Sequence, residues 1–220
     1  MSETADLKVT GETRLYVVIG DPIAQVQSTH LYNTLCAKGR HDAVFVPLQF
    51  SLNDFDTAIA ALRVFRNLAG IIPTIPHKTR MLNVVDGASD RARQIGAVNS
   101  IRIEADGRWF VDAFYGIGYV NGLRVNGFDP KGKRFQLIGA GGAGASIAFA
   151  LAEAGASYIG IYDIDGAKMA DVLDRLQQHY PEFTAEAGKA DIASVDVVVN
   201  ATPLGMRPED PFPVDPSAIV

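Results

Sequence analysis

Short apolar runs recur along the first half of the chain, and a stretch with helical spacing follows each of the first two. LYVVIG (15–20) is continuous in apolar residues and closes on glycine, the pattern of a buried strand. THLYNTLCAKG (29–39) places Leu31, Leu35 and Cys36 on one helical face, with Thr29 as the expected cap and Gly39 as the stop. AVFVPLQF (43–50) predicts a second strand, and NDFDTAIAALRVF (53–65) a helix capped by Asn53 or Asp54. LAGIIPT (68–74) predicts a third strand, followed by a proline turn and a helix from His77. In SIRIEADGRWFVD (100–112), alternating residues surround Asp106-Gly107, which predicts a hairpin.

After Gly118 the pattern predicts a helix and a polar loop, YVNGLRVNGFDPKGKR, and then a second α/β series. RFQLIGA (134–140), YIGIYD (158–163) and SVDVVVNAT (194–202) read as strands. GGAGASIAFALAEAG (141–155) and GAKMADVLDRLQQHY (166–180) read as helices between them. Strands alternating with helices predict mainly parallel sheets. The expected division is a domain over 1–115, a connecting helix and loop over 116–130, and a second domain over 131–220. A cleft between two such domains is a common small-molecule site.

Composition narrows the class. With 220 residues, 48% hydrophobic and 20% charged, the chain can bury a sizeable core. A net charge of −5 without a dense basic cluster speaks against nucleic acid. No apolar run approaches the ~20 residues of a membrane helix, and the polar N-terminus is neither a signal nor a transit peptide. One cysteine, Cys36, permits neither an internal disulfide nor a Cys-cluster zinc site. The four histidines lack metal-ligand spacing, so no metal is expected. A cytoplasmic protein is expected. Its partners are a small-molecule substrate and at most a second copy in a homodimer, with no nucleic acid and no membrane.

The clearest chemistry follows the strand at 134. Gly139-Ala140-Gly141-Gly142-Ala143-Gly144 runs from that strand into a helix. Gly139 permits the tight turn, Gly141 and Gly142 let backbone N–H groups approach a pyrophosphate, and Gly144 permits close helix–strand packing. Strand before and helix after are the context a dinucleotide site requires. Asp163, roughly 20 residues beyond the glycines, stands where an acid accepts the ribose 2′-hydroxyl. Ile164 is apolar where an NADP site tends to offer arginine. NAD is therefore favoured over NADP, unless Asp163 merely caps the following helix.

Five blocks occur in order: GDPIAQVQST (20–29), GIIPTIPHK (70–78), IGAVNS (95–100), GAGGAG (139–144) and NATPLGM (200–206). Together they resemble the shikimate/quinate dehydrogenase family across nearly the whole chain. The resemblance implies an N-terminal α/β substrate domain, a C-terminal Rossmann-type dinucleotide-binding domain, and hydride transfer between nicotinamide and a ring alcohol or ketone. It carries the catalytic lysine onto Lys78, and substrate contacts onto Gln25, Ser28, Thr74 and Asn99. It adds Ala201, Thr202, Pro203, Leu204 and Met206 to the cofactor contacts.

The departures from the family pattern are as informative. Where the family reads Ala-His-Ser-x-Ser-Pro, this chain has Ala24-Gln25-Val26-Gln27-Ser28-Thr29, and Ile72 replaces an asparagine. The family's Asn-Thr-Asp-Gly-x-Gly is Ala113-Phe114-Tyr115-Gly116-Ile117-Gly118, so Tyr115 occupies the place of the aspartate that partners the lysine. Asp112 lies three residues too early. A Tyr–Lys pair can still perform acid–base work when the cation depresses the phenol pKa. With Val26, Ile72, Ala113 and Phe114 in polar positions, a less hydroxylated ring alcohol or hydroxy acid is expected. Two outcomes stay open: an active NAD-dependent dehydrogenase, or a weakened paralogue that binds a dinucleotide and a small ligand. The family continues beyond DPSAIV, so the second domain either ends short or extends past residue 220.

Overall fold

Two sheets organise the chain in this computed structural model, which describes residues 8–189 and 192–218. The first is built from β1 (Arg14–Gly20), α1 (Ser28–Gly39), β2 (Ala43–Gln49), α2 (Phe55–Leu62), β3 (Leu68–Pro73) and β4 (Gly87–Ala88). After α3 (Asp90–Ile95), β5 (Ser100–Ile103) and β6 (Trp109–Asp112) complete it in the order β2-β1-β3-β5-β6-β4. β1 is parallel to both β2 and β3, while β5 is antiparallel to β3 and β6. Val17, Val18 and Ile19 are almost completely buried, as a strand covered on both faces requires.

The second sheet follows α4 (Tyr115–Val125). It comprises β7 (Arg134–Ile138), α5 (Gly142–Glu153), β8 (Tyr158–Tyr162), α6 (Gly166–His179), β9 (Ala185–Ala187) and β10 (Val197–Asn200). Its order is β10-β7-β8-β9, parallel throughout. α5 buries every residue from Gly144 to Leu151, which its run of small and apolar side chains allows. Asp165 caps α6, its carboxylate accepting the N–H groups of Ala167 and Lys168 at 3.1 and 3.3 Å.

The chain divides into two compact units. One comprises the residues up to Ser89 together with Val98–Asp112, and the other comprises Asp90–Ala97 and the chain from Ala113 onward. α3 falls in the second unit, where Arg175 of α6 donates to the carbonyls of Gln94, at 3.0 Å, and Ile95. Those carbonyls end a helix and have no partner within it.

Some local expectations give way. The helix expected from His77 is only a 3-10 turn at Arg80–Asn83. The His77 N–H closes a turn onto Thr74 O (2.8 Å), and its ring is buried against Phe50, so the backbone is held by tertiary contacts. Thr29 lies inside α1, and Gly39 is its last residue; Arg40 takes the left-handed position at φ 53. Asp54 does precede α2, but its carboxylate accepts from the Ser51 hydroxyl (2.8 Å) rather than from the helix. α4 starts at Tyr115, so Gly116 and Gly118 are helical. Among the described residues, no helix is long and apolar enough to cross a membrane.

Candidate active site

β1 has parallel neighbours on both sides, β2 on one and β3 on the other. Chains leaving such a strand diverge, and ligands settle outside the carboxyl ends there. The GDPIAQVQS segment leaves β1 at this point, and the Thr74–Lys78 turn leaves β3 beside it. The two are laced by backbone bonds: Thr74 N–H to Ile19 O (2.8 Å) and Asp21 N–H to Ile75 O (2.9 Å). Gly20 is needed for this approach, since a Cβ there would run into the Thr74 methyl.

The lysine turn is also bound from below. His77 has no exposed surface, and its ring stacks on Phe50 at 4.5 Å. Nε2 lies 3.0 Å from Phe50 O, an acceptor only, so Nε2 carries a proton, and the buried Nδ1 has no hydrogen-bond partner among the described residues, which suits a neutral ring. Burial pushes the His77 pKa below its ordinary value, which keeps it so. Lys78 is half-buried, and desolvation brings its ammonium down from 10.5 to about 8. Its carbonyl accepts the Val98 N–H at 3.3 Å, which brings Asn99 into the same edge. Asn99 N–H in turn donates to Asp112 O at 3.2 Å.

Of the residues singled out from sequence, Gln25, Ser28, Thr74, Lys78 and Asn99 thus belong to the first unit. Gln25 is exposed and folds its amide onto Pro22 O (2.9 Å), while Ser28 opens α1. Tyr115 belongs to the second unit, where it opens α4 and is 43% exposed. Asp112, set aside in the sequence, carries a carboxylate that accepts from the Ser89 hydroxyl at 2.7 Å. It ends β6 opposite Ser100, beside Asn99, and only strand register reveals that neighbourhood.

In the second unit β7 again has parallel neighbours on both sides, β8 and β10. The glycine loop leaves it there. Gly139 has φ 105, and a Cβ on it would stand 2.7 Å from Ala201 O, so the loop meets the Ala201–Met206 segment closely. A Cβ on Gly144 would collide with Gly139 O. Gly141 faces open space and, as N-cap of α5, has no side chain to satisfy the first helical N–H groups. Those amides and the helix dipole suit a pyrophosphate. Asn200 was missed from sequence. Its side chain accepts from Thr202 N–H and hydroxyl (3.0 and 2.7 Å) and donates to Leu204 O (2.8 Å), shaping that segment. Pro203 and Met206 are exposed beyond it, as is Ile164 beyond Asp163.

A lysine-bearing edge on one α/β sheet and a glycine loop on a parallel one define a two-unit nicotinamide oxidoreductase. The shikimate dehydrogenase substrate binding domain matches residues 18–101. The shikimate dehydrogenase (NADP(+)) of Rubrobacter xylanophilus is 34% identical over 94% of this chain and 73% of its own length. The crystal structure of shikimate dehydrogenase from Aquifex aeolicus has a TM-score of 0.85 at 27% identity, covering 96% of this chain and 77% of that one. Quinate dehydrogenase from Corynebacterium glutamicum in complex with NAD has a TM-score of 0.82 at 25% identity, over 94% and 77%. The chain belongs to the shikimate/quinate dehydrogenase family, NAD(P)-dependent dehydrogenases acting on CH–OH groups.

Proposed function

We propose that this protein is an NAD-preferring dehydrogenase of a ring alcohol or cyclic hydroxy acid less hydroxylated than shikimate, with Lys78 as its acid–base group. The observation that carries this is the half-buried Lys78, lowered to about 8 and fixed beside Thr74 and Asn99 at the mouth of β1 and β3. A bound dinucleotide would supply a nicotinamide ring that takes up hydride from the alcohol carbon. Lys78 in its neutral form accepts the hydroxyl proton, and in its charged form returns it to the carbonyl oxygen. Thr74 and Asn99 would hydrogen-bond the substrate, and Gln25 and Ser28 would border it.

Substrate choice follows from what the family's polar positions have become. Val26, Ile72, Ala113 and Phe114 cannot pair with ring hydroxyls, and each hydroxyl buried without a partner costs about 1–3 kcal/mol. Tyr115 stands where the family carries the aspartate that partners its lysine, and a phenol favours a charged amine less than a carboxylate does. The same substitution favours a second reading, a weakened paralogue that binds a dinucleotide and a small ligand.

Cofactor preference follows from charge. Asp163 and Asp165 flank the exposed Ile164 where a 2′-phosphate would lie, and the basic residue nearest in sequence, Lys168, is paired with Asp165 at 3.4 Å. Two carboxylates repel that phosphate, while one can accept the 2′-hydroxyl of NAD. The curated relatives carry NADP in their names, so this chain departs from them, and its likeness to a quinate dehydrogenase complexed with NAD supports the reading. Titration of both dinucleotides against intrinsic fluorescence checks it. NAD is expected to bind on the order of tenfold tighter or more; equal or tighter binding of NADP contradicts it.

A further inference from the structure

The Asp163 carboxylate is already engaged before a ribose could reach it. Its Oδ2 accepts the Ala140 N–H at 2.6 Å, and its Oδ1 accepts the Asp165 N–H at 2.8 Å. The first bond reaches back 23 residues into the glycine loop, and the second closes the turn into α6. Gly139 makes the first geometry reachable. Its own N–H continues the strand pairing to Tyr162 O at 2.7 Å. Its φ of 105 then swings the Ala140 amide out of the ladder toward the end of β8, a turn that L side chains adopt with strain.

We propose that Asp163 is the clamp that holds the glycine loop in its binding shape without ligand, in addition to any part it has in reading the ribose. The role rests on the dinucleotide function proposed above for its use, but not for its existence. A carboxylate suits it, since both oxygens accept and each keeps a lone pair for a further donor. An amide does not, because its NH2 would face one of the two N–H donors. The clamp also reassigns the loop's own donors. Ala140 N–H serves the fold, and the pyrophosphate is left to the amides that begin α5, beyond Gly141. Asp163 is therefore a positioning residue that couples the β7 loop to the β8 loop, and its loss disturbs ligands that carry no 2′-hydroxyl at all.

The experiment uses the full chain, Asp163→Ala and Asp163→Asn, with two readouts. In the ligand-free protein, amide hydrogen exchange at Ala140 is expected to quicken by roughly tenfold or more in Asp163→Ala, with Leu137 in β7 as the unchanged internal control. Affinity is measured for NAD and for its analogue lacking the adenosine 2′-hydroxyl, and both are expected to weaken by roughly tenfold or more. An acid that only reads the ribose would leave the analogue unaffected, and that result overturns the proposal. So does unchanged exchange at Ala140. Should Asp163→Ala fail to fold, Asp163→Asn keeps one acceptor, and faster exchange is expected at Ala140 or at Asp165. Unchanged exchange at both positions overturns the proposal. Protection of Ala140 that depends on Asp163, in a protein binding neither dinucleotide, upholds the clamp and refutes the dinucleotide function instead.

Discussion

Replacing Lys78 with alanine is expected to lower turnover by roughly 10²–10⁴-fold while leaving dinucleotide affinity essentially unchanged. The split follows from where the parts lie. Lys78 belongs to the first unit, at the turn after β3, and the glycine loop belongs to the second. The pH dependence of the same group gives the sign of its role. Burial lowers its pKa from 10.5 to about 8, so at neutral pH the charged form predominates and the neutral form is the minor one. With Lys78 in the role proposed for it, alcohol oxidation draws on the neutral amine, so its rate should climb with pH and level off above about 8. Ketone reduction needs the ammonium and should decline above the same value. Steady-state rates in both directions, with fluorescence titration of the variant, check these expectations. Unchanged turnover in Lys78→Ala would mean that the lysine has no chemical role.

The second large effect is expected at Gly144. A methyl group there has no room, because its carbon would collide with Gly139 O at the base of the loop. Either α5 moves away from β7 or the turn at Gly139 opens, and both displace the first amides of the helix from a bound pyrophosphate. Overpacking of this kind costs about 1–3 kcal/mol, or about 5–150-fold in affinity if the strain is relieved in the loop. Gly144→Ala should therefore bind NAD more weakly and unfold at lower temperature. Gly122→Ala, in α4, is the control, since a Cβ there meets nothing within 4 Å. Equal affinities for the two variants would show that close packing at Gly144 does not shape the loop.

The elements with several turns or several buried residues were legible in the sequence. LYVVIG and YIGIY are mostly apolar because both of their faces are covered, and the Asp106-Gly107 pair turns the β5–β6 hairpin with Gly107 at φ 83. Elements held by distant partners were not legible. α3 is six residues long, and its last carbonyls are satisfied by Arg175, 80 and 81 residues away. β4 and β9 have two and three residues, too few for a period to register. The helix ends followed the same rule, for Arg40 rather than Gly39 took the left-handed position in response to the turn that His41 N–H closes onto Cys36 O. In the site, Lys78 and the glycine loop stood out through local motifs. The company they keep did not. Nothing in sequence places His77 beneath Phe50, Asp112 beside Asn99, or the Asp163 carboxylate on Ala140 N–H, because each depends on the register of strands far apart in the chain.

The most direct test is a spectrophotometric assay of the unmodified protein with NAD and with NADP, following reduced nicotinamide across shikimate, quinate and cyclic alcohols of decreasing hydroxylation. Reduction of NAD by a sparsely hydroxylated ring alcohol, at rates of roughly 1–10³ s⁻¹ and well above those with shikimate, is the expected result. Shikimate oxidised at such rates with NADP preferred, or no reduction of either dinucleotide by any alcohol in the series, would contradict it.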